Sequence, residues 1–177
     1  MTAGIVVDAS AAIALVRREP AVSAITVALK RVAPGERLLV PDGFWLEVAN
    51  VLIRRHRHSP DEVVEALREL DELGLESVRT ERALVLVALD LAARHVLSAY
   101  DASYLALAEV EDAWLLTLDR SLAAAAGPLA IQLSGDGPRH LADPPAPYIA
   151  DPVDWARFGP YLAELRAAAR TPAARAR

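Results

Sequence analysis

The chain contains no cysteine, one methionine and a single lysine, Lys30, and aromatic residues make up only 5% of its 177 positions. Without cysteine, disulfides, thiolate zinc sites and cysteine nucleophiles are excluded together. No apolar run approaches the ~20 residues of a membrane span, even though the mean hydropathy of +0.23 is high, because Arg, Asp and Glu interrupt every stretch. Positive charge is also scarce. A net charge of −5 argues against a nonspecific coat for nucleic acid. It does not exclude an enzyme acting on nucleic acid, since an acidic metal site absorbs negative charge and local arginines can still bind phosphate. The cations are nearly all arginine, which suits bidentate phosphate contacts, although a GC-rich coding sequence produces the same bias.

What remains is 54% hydrophobic residues, supplied mostly by Ala, Leu and Val, the composition of a helix-rich α/β protein. This length fits one domain with a core that needs no staples. Met1 leads almost directly into a strand pattern, with no basic segment or cleavage site, so a cytoplasmic location is expected.

Hydrophobic periodicity alternates strand and helix. A strand over Gly4–Asp8 precedes an apolar helix from Ala9 to Val16, and Pro20 opens a second helix to Leu29. Leu38–Val40 is a strand stopped by Pro41, after which Asp42 caps a helix to about Arg55. Ser59-Pro60-Asp61-Glu62 combines an N-cap serine, a first-turn proline and a Glu at N3, and its helix ends at Gly74. Leu75–Val78 returns as a strand. Thr80 caps a long helix to Arg94 that is apolar on almost every side, and Ser98 with Asp101 opens another to Glu111. Trp114–Leu118, a short helix over Ser121–Ala126 and a strand over Leu129–Leu133 complete the pattern. Such alternation predicts a three-layer α/β/α sandwich with a mostly parallel central sheet over residues 1–133. Residues 134–177 read as a Pro/Gly-rich linker followed by an amphipathic C-terminal helix over Val153–Arg170, kinked near Gly159-Pro160.

Four acids stand in unusual places. Asp8 and Asp119 end strand-like runs, Asp101 lies in a first helical turn, and Glu47 sits within Phe44-Trp45-Leu46-Glu47-Val48. Carboxylates beside so much hydrocarbon are costly unless something positive holds them. A hard divalent cation such as Mg²⁺ or Mn²⁺ takes oxygen ligands and tolerates water. In open α/β sheets ligands gather outside the carboxyl ends of the strands, where Asp8 and Asp119 are expected. Ser10 and Thr117 flank these two aspartates, and Asn50 lies one turn beyond Glu47; all three are candidates to orient a carboxylate or a water. Each acid also has a local reading: Asp8 and Asp119 as helix caps, Asp101 as the partner of Ser98. Glu47 has no basic residue nearby in sequence and is the hardest to explain locally.

Ile5-Val6-Val7-Asp8-Ala9-Ser10, Glu47 with Asn50, Leu97 to Ala108 around Asp101, and Leu116-Thr117-Leu118-Asp119-Arg120-Ser121-Leu122 resemble the PIN-domain family, and within it the VapC-type toxin ribonucleases. The likeness spans about Gly4 to Leu133. It implies a Mg²⁺- or Mn²⁺-dependent endoribonuclease, homodimeric and neutralised by a small antitoxin that enters the grooves beside the site. Carried over by position, it implies Asp8, Glu47, Asp101 and Asp119 as metal-binding and catalytic acids. In-line attack by water on the RNA phosphodiester would leave a 5′-phosphate and a 3′-hydroxyl.

Other readings compete. A receiver-like signalling domain needs a lysine at a late strand end, and Lys30 is in the wrong place. A phosphatase of the haloacid-dehalogenase type needs a second aspartate where Ser10 stands, and no phosphate loop of the G-x-x-x-x-G-K kind occurs. A non-catalytic PIN-like RNA-binding or scaffold protein is the main alternative. The run Arg54-Arg55-His56-Arg57-His58 either complements a helix C-terminus or contacts RNA backbone. The C-terminal extension departs from the family pattern. Trp155, Phe158, Tyr161, Leu162 and Leu165 pack on its own domain, complete a dimer, or cover the acidic groove.

Overall fold

The structure, a computed structural model, describes residues 4–30 and 36–133. Four strands form one all-parallel sheet in the order β3-β2-β1-β4: β1 (Gly4–Val7), β2 (Arg37–Pro41), β3 (Leu75–Val78) and β4 (Trp114–Leu116). Around it stand α1 (Ala9–Val16), α2 (Val22–Leu29), α3 (Phe44–Arg54), α4 (Pro60–Asp71), α5 (Arg82–His95), α6 (Ala99–Glu111) and α7 (Arg120–Ala126). This is the expected α/β/α sandwich. α6 packs on β1, β2 and β4 with α5 against it, while α1 meets α2, α3 and α4. The expected C-terminal helix and its linker lie outside the described residues.

β1 is buried at every position, as a central strand of a parallel sheet must be. The chain steps from β1 outward to β2 and β3, then returns to place β4 on the other side of β1. The connection therefore reverses between β1 and β4, the position at which α/β sheets open a crevice. The amide of Asp8 continues the ladder by donating to the Leu116 carbonyl at 3.0 Å, which holds Asp8 at the carboxyl edge of that junction.

Local signals placed most helix ends. Ser59 and Glu62 close a full capping box on α4, and Ser98 caps α6 through the Asp101 amide. Two expected caps fail together. α3 starts after Gly43 and α5 after Glu81, neither with a side-chain cap. Asp42 and Thr80 instead hydrogen-bond to each other, because parallel pairing of β2 with β3 brings these two residues, each just past a strand end, side by side. Pro41 is the last paired residue of β2, opposite Val78, rather than the first beyond the strand.

α5 is not buried all round: Leu84, Val87, Ala88 and Leu91 face the core, while Val85 and Leu89 reach solvent. The expected strand over Leu129–Leu133 reduces to one bridge, Leu115 to Ala130, after a 3₁₀ turn at Gly127–Leu129. β4 itself is three residues long, so it offers little edge for another strand to pair with.

Candidate functional site

Asp8 is buried, 3% exposed, between β1 and α1. Three neutral donors meet its Oδ2. The Ser10 hydroxyl donates to it, as does the Ser10 amide at 3.3 Å and the Thr117 hydroxyl at 2.8 Å. Ser10 Oγ in turn accepts from the Leu118 amide, and Thr117 Oγ1 from the Asp119 amide, both at 2.9 Å. Ser10 and Thr117 thus fasten the end of β4 to the start of α1. Burial pushes the Asp8 carboxyl up from 3.8 to about 6; the hydroxyl bonds oppose that shift, and the charge of Asp101 adds to it.

Glu47 enters from the first turn of α3. Its Oε2 accepts the hydroxyl proton of Tyr104, from α6, at 2.7 Å. Burial, then the negative charges of Asp8 and Asp101, raise its carboxyl from 4.5 to about 7 against the lowering effect of that bond. Tyr104 is fully buried, and burial together with Asp8 and Glu47 holds its phenol well above the usual range. It therefore stays a proton donor throughout the working pH range. No motif in the sequence singles out Tyr104 for this role. The available signal was its place one turn after Asp101 on one helix face.

Asp101 occupies the third position of α6. Its carboxylate accepts from the Ser98 hydroxyl at 2.7 Å, while its amide donates to Ser98 Oγ at 3.0 Å. Its pKa is raised by burial and by the charge of Asp119, with Ser98 acting against both. Asp119 is the N-cap of α7: its Oδ1 accepts from the Leu122 amide at 2.7 Å. The local readings of Asp8, Asp101 and Asp119 as cap residues therefore describe real hydrogen bonds, and the same residues also share an electrostatic neighbourhood. Asn50 lies exposed on α3 and makes no hydrogen bond to these acids among the described residues.

The four acids are coupled by charge: Asp8 with Glu47 and Asp101, Glu47 with Asp101, and Asp101 with Asp119. Hydroxyls, amides and one another surround Asp8, Glu47 and Asp101, and among the described residues no cation is one of the groups that shift them. Among the described residues, however, no three Asp, Glu or His side chains stand close enough to grip one ion directly. A donor set of hard oxygens with excess negative charge fits a cation such as Mg²⁺, which keeps several waters between itself and part of its ligands.

The basic run sits at the other end of α3, with Arg54 in its last turn, about 10 Å along the axis from Glu47. His56 and His58 stack edge to face with centroids 6.3 Å apart, and His56 Nε2 and His58 Nδ1 are buried with no hydrogen-bond partner among the described residues. No helix among the described residues is alone long and apolar enough to cross a membrane.

The family model for the PIN domain matches residues 5–128. A crystal structure of PAE2754 from Pyrobaculum aerophilum superposes with a TM-score of 0.54 at 27% identity, covering 73% of this chain and 84% of that one. A crystal structure of VapC20 from Mycobacterium tuberculosis, described as a toxin that cleaves the sarcin–ricin loop, superposes with a TM-score of 0.57 at 20% identity, covering 69% of this chain and 95% of that one. At that identity the second likeness is one of fold. No curated protein matches the chain significantly. The matched family model spans the sheet from the second residue of β1 onward and all four acids, and the chain belongs to the PIN-domain family.

Proposed function

We propose that the protein is a Mg²⁺- or Mn²⁺-dependent endoribonuclease and the toxin of a type II toxin–antitoxin system, with residues 1–133 as the nuclease unit and residues 134–177 as an extension. The observation that carries this reading is the negative charge gathered at the carboxyl edge of the sheet: burial first, and then Asp101 on Asp8, Asp8 and Asp101 on Glu47, and Asp119 on Asp101, raise these carboxyls, with no cation among the described residues to offset them. Membership of the PIN-domain family supports the nuclease class, and the fold shared with VapC20 supports the toxin assignment.

In this reading Asp8, Asp101, Asp119 and Glu47 would hold the cation, in part through water. A bound divalent ion supplies charge neutralisation on the phosphodiester and makes water a better nucleophile. Ser10 and Thr117 fix the Asp8 carboxylate by donating to Oδ2, leaving Oδ1 available. Tyr104 fixes Glu47 in the same manner through Oε2. Held in this way, Glu47 helps bind the cation or orients the attacking water. In-line displacement then gives a 5′-phosphate and a 3′-hydroxyl. RNA is the substrate, a cognate antitoxin and a second copy are the expected partners, and the cytoplasm is the expected location.

The test is an RNA cleavage assay across a Mn²⁺ and Mg²⁺ titration with end-group mapping. EDTA is expected to abolish cleavage and excess metal to restore it. Cleavage that survives both EDTA and Asp101→Asn would sink the proposal. The separation of the acids favours a second reading, a non-catalytic RNA-binding protein, which requires metal-independent RNA binding and no cleavage at any metal concentration.

A further inference from the structure

We propose that the groove where α3, α5 and α6 meet is the docking surface for this chain's own C-terminal segment, residues 153–170. That docking restrains the site is a consequence resting on the nuclease reading; the docking itself does not rest on it.

The groove has a volume of about 350 Å³, and Phe44, Val85, Leu89 and Tyr100 line it, with Glu47 and Tyr104 beside them. Its rim is apolar and open. Tyr100 is 72% exposed, Val85 38% and Leu89 37%. A patch of large side chains left in water beside an acidic centre marks a surface that something covers.

The segment has the complementary features. Trp155, Phe158, Leu162 and Leu165 recur at helical spacing, and Arg157 and Arg166 lie among them. Charge is distributed to match. Residues 1–133 hold 19 acidic against 13 basic side chains, whereas residues 153–170 hold three arginines, Arg157, Arg166 and Arg170, against two acids, Asp154 and Glu164. Asp42 and Glu47 both line the groove, so an arginine next to the docked apolar face would meet carboxylates that no cation among the described residues shifts.

Reach is no obstacle. The 19 residues between Leu133 and Val153 span up to ~60 Å when extended and ~25 Å on average as a flexible chain. A domain of this size has a radius of gyration of only ~14 Å. Tethering places the segment at an effective concentration on the order of millimolar. That advantage favours the chain's own segment over a second copy at ordinary concentrations.

The absence of cysteine provides the test. Leu89→Cys and, separately, Tyr100→Cys in the full-length chain each take a benzophenone maleimide, and irradiation is followed by peptide mass mapping. Intrachain crosslinks into residues 153–170 support the proposal. Crosslinks that join two chains, intrachain crosslinks elsewhere, or none from either position overturn it. Adding Phe158→Ser and Leu162→Ser is expected to lower the crosslink yield at least about tenfold, the weight of losing two buried apolar anchors; an unchanged yield overturns the proposal. Cleavage of RNA in Mn²⁺ by the same chains separates the two readings. Crosslinks without cleavage by any variant leave the docking standing and remove the nuclease assignment. Cleavage without crosslinks does the reverse. Where both hold, the Phe158→Ser/Leu162→Ser chain cleaves faster than the parent.

Discussion

Tyr104 of α6 donates its hydroxyl proton to Glu47 Oε2 of α3 at 2.7 Å, and Tyr104 has no solvent exposure. One bond thus joins two helices on different sides of β3 in the chain order and sets the direction in which an acid in an apolar setting points. Replacing Tyr104 with Phe keeps the ring and deletes the donor. The expected cost is about 1–2 kcal/mol, since a hydrogen bond to a carboxylate is lost and an acceptor is left facing hydrocarbon. Urea denaturation at pH 7 reads it. A double-mutant cycle with Glu47→Ala, which removes the acceptor, isolates the pair, and a coupling near zero would show that the bond does not hold the acid.

Asp8 and Glu47 predict an inverted pH profile for the metal-free protein. Their folded values, about 6 and about 7, lie above the ordinary 3.8 and 4.5. Between about pH 4 and pH 7 the folded state therefore binds more protons than the unfolded chain, and stability falls as pH rises. For Asp8 the loss is on the order of 3 kcal/mol, complete once pH exceeds its folded value. Thermal melts in EDTA from pH 4.5 to 7.5 check this. A stability that climbs with pH over that window would contradict the raising of these two carboxyls by burial and by their acidic neighbours.

Asp8→Asn removes the buried charge while its amide oxygen can still accept from Ser10 and Thr117. In EDTA at pH 7.5 the variant is expected to be more stable than the parent by about 1–2 kcal/mol. The parent, but not the variant, gains stability from added Mn²⁺ by mass action. Differential scanning calorimetry with and without Mn²⁺ makes the comparison. Equal metal stabilisation of both proteins would remove Asp8 from the ligand set.

Gly4 starts β1 with φ +155°, and a Cβ there would stand 2.1 Å from the Arg37 carbonyl oxygen of β2. Backbone cannot yield as a flexible side chain does, so Gly4→Ala must push β1 and β2 apart. A destabilisation above roughly 2 kcal/mol is expected. Denaturant unfolding measures it, and a change under 0.5 kcal/mol, the scale of an ordinary surface substitution, would show that the strand start adjusts freely.

The positions of Asp8 and Asp119 were readable because each depends on a few consecutive residues: an apolar strand run, an acid, then a helix start. The same local chemistry made Ser59 and Ser98 recognisable as caps. It misled at Asp42 and Thr80, where sequence offered two good caps and the fold paired them with each other. It misled again at Leu129–Leu133, whose apolar pattern suits a strand but has only the short edge of β4 to join.

The alternation of strand and helix, the parallel three-layer arrangement and the placing of acids at strand ends were determined by sequence alone, because hydrophobic period and capping chemistry act within a few residues. Tertiary structure decided which of those acids feel one another, that a buried tyrosine 57 positions away holds Glu47, and that an open apolar groove lies beside them. Such relations require segments distant in the chain to pack together, and no local pattern carries the distances that result.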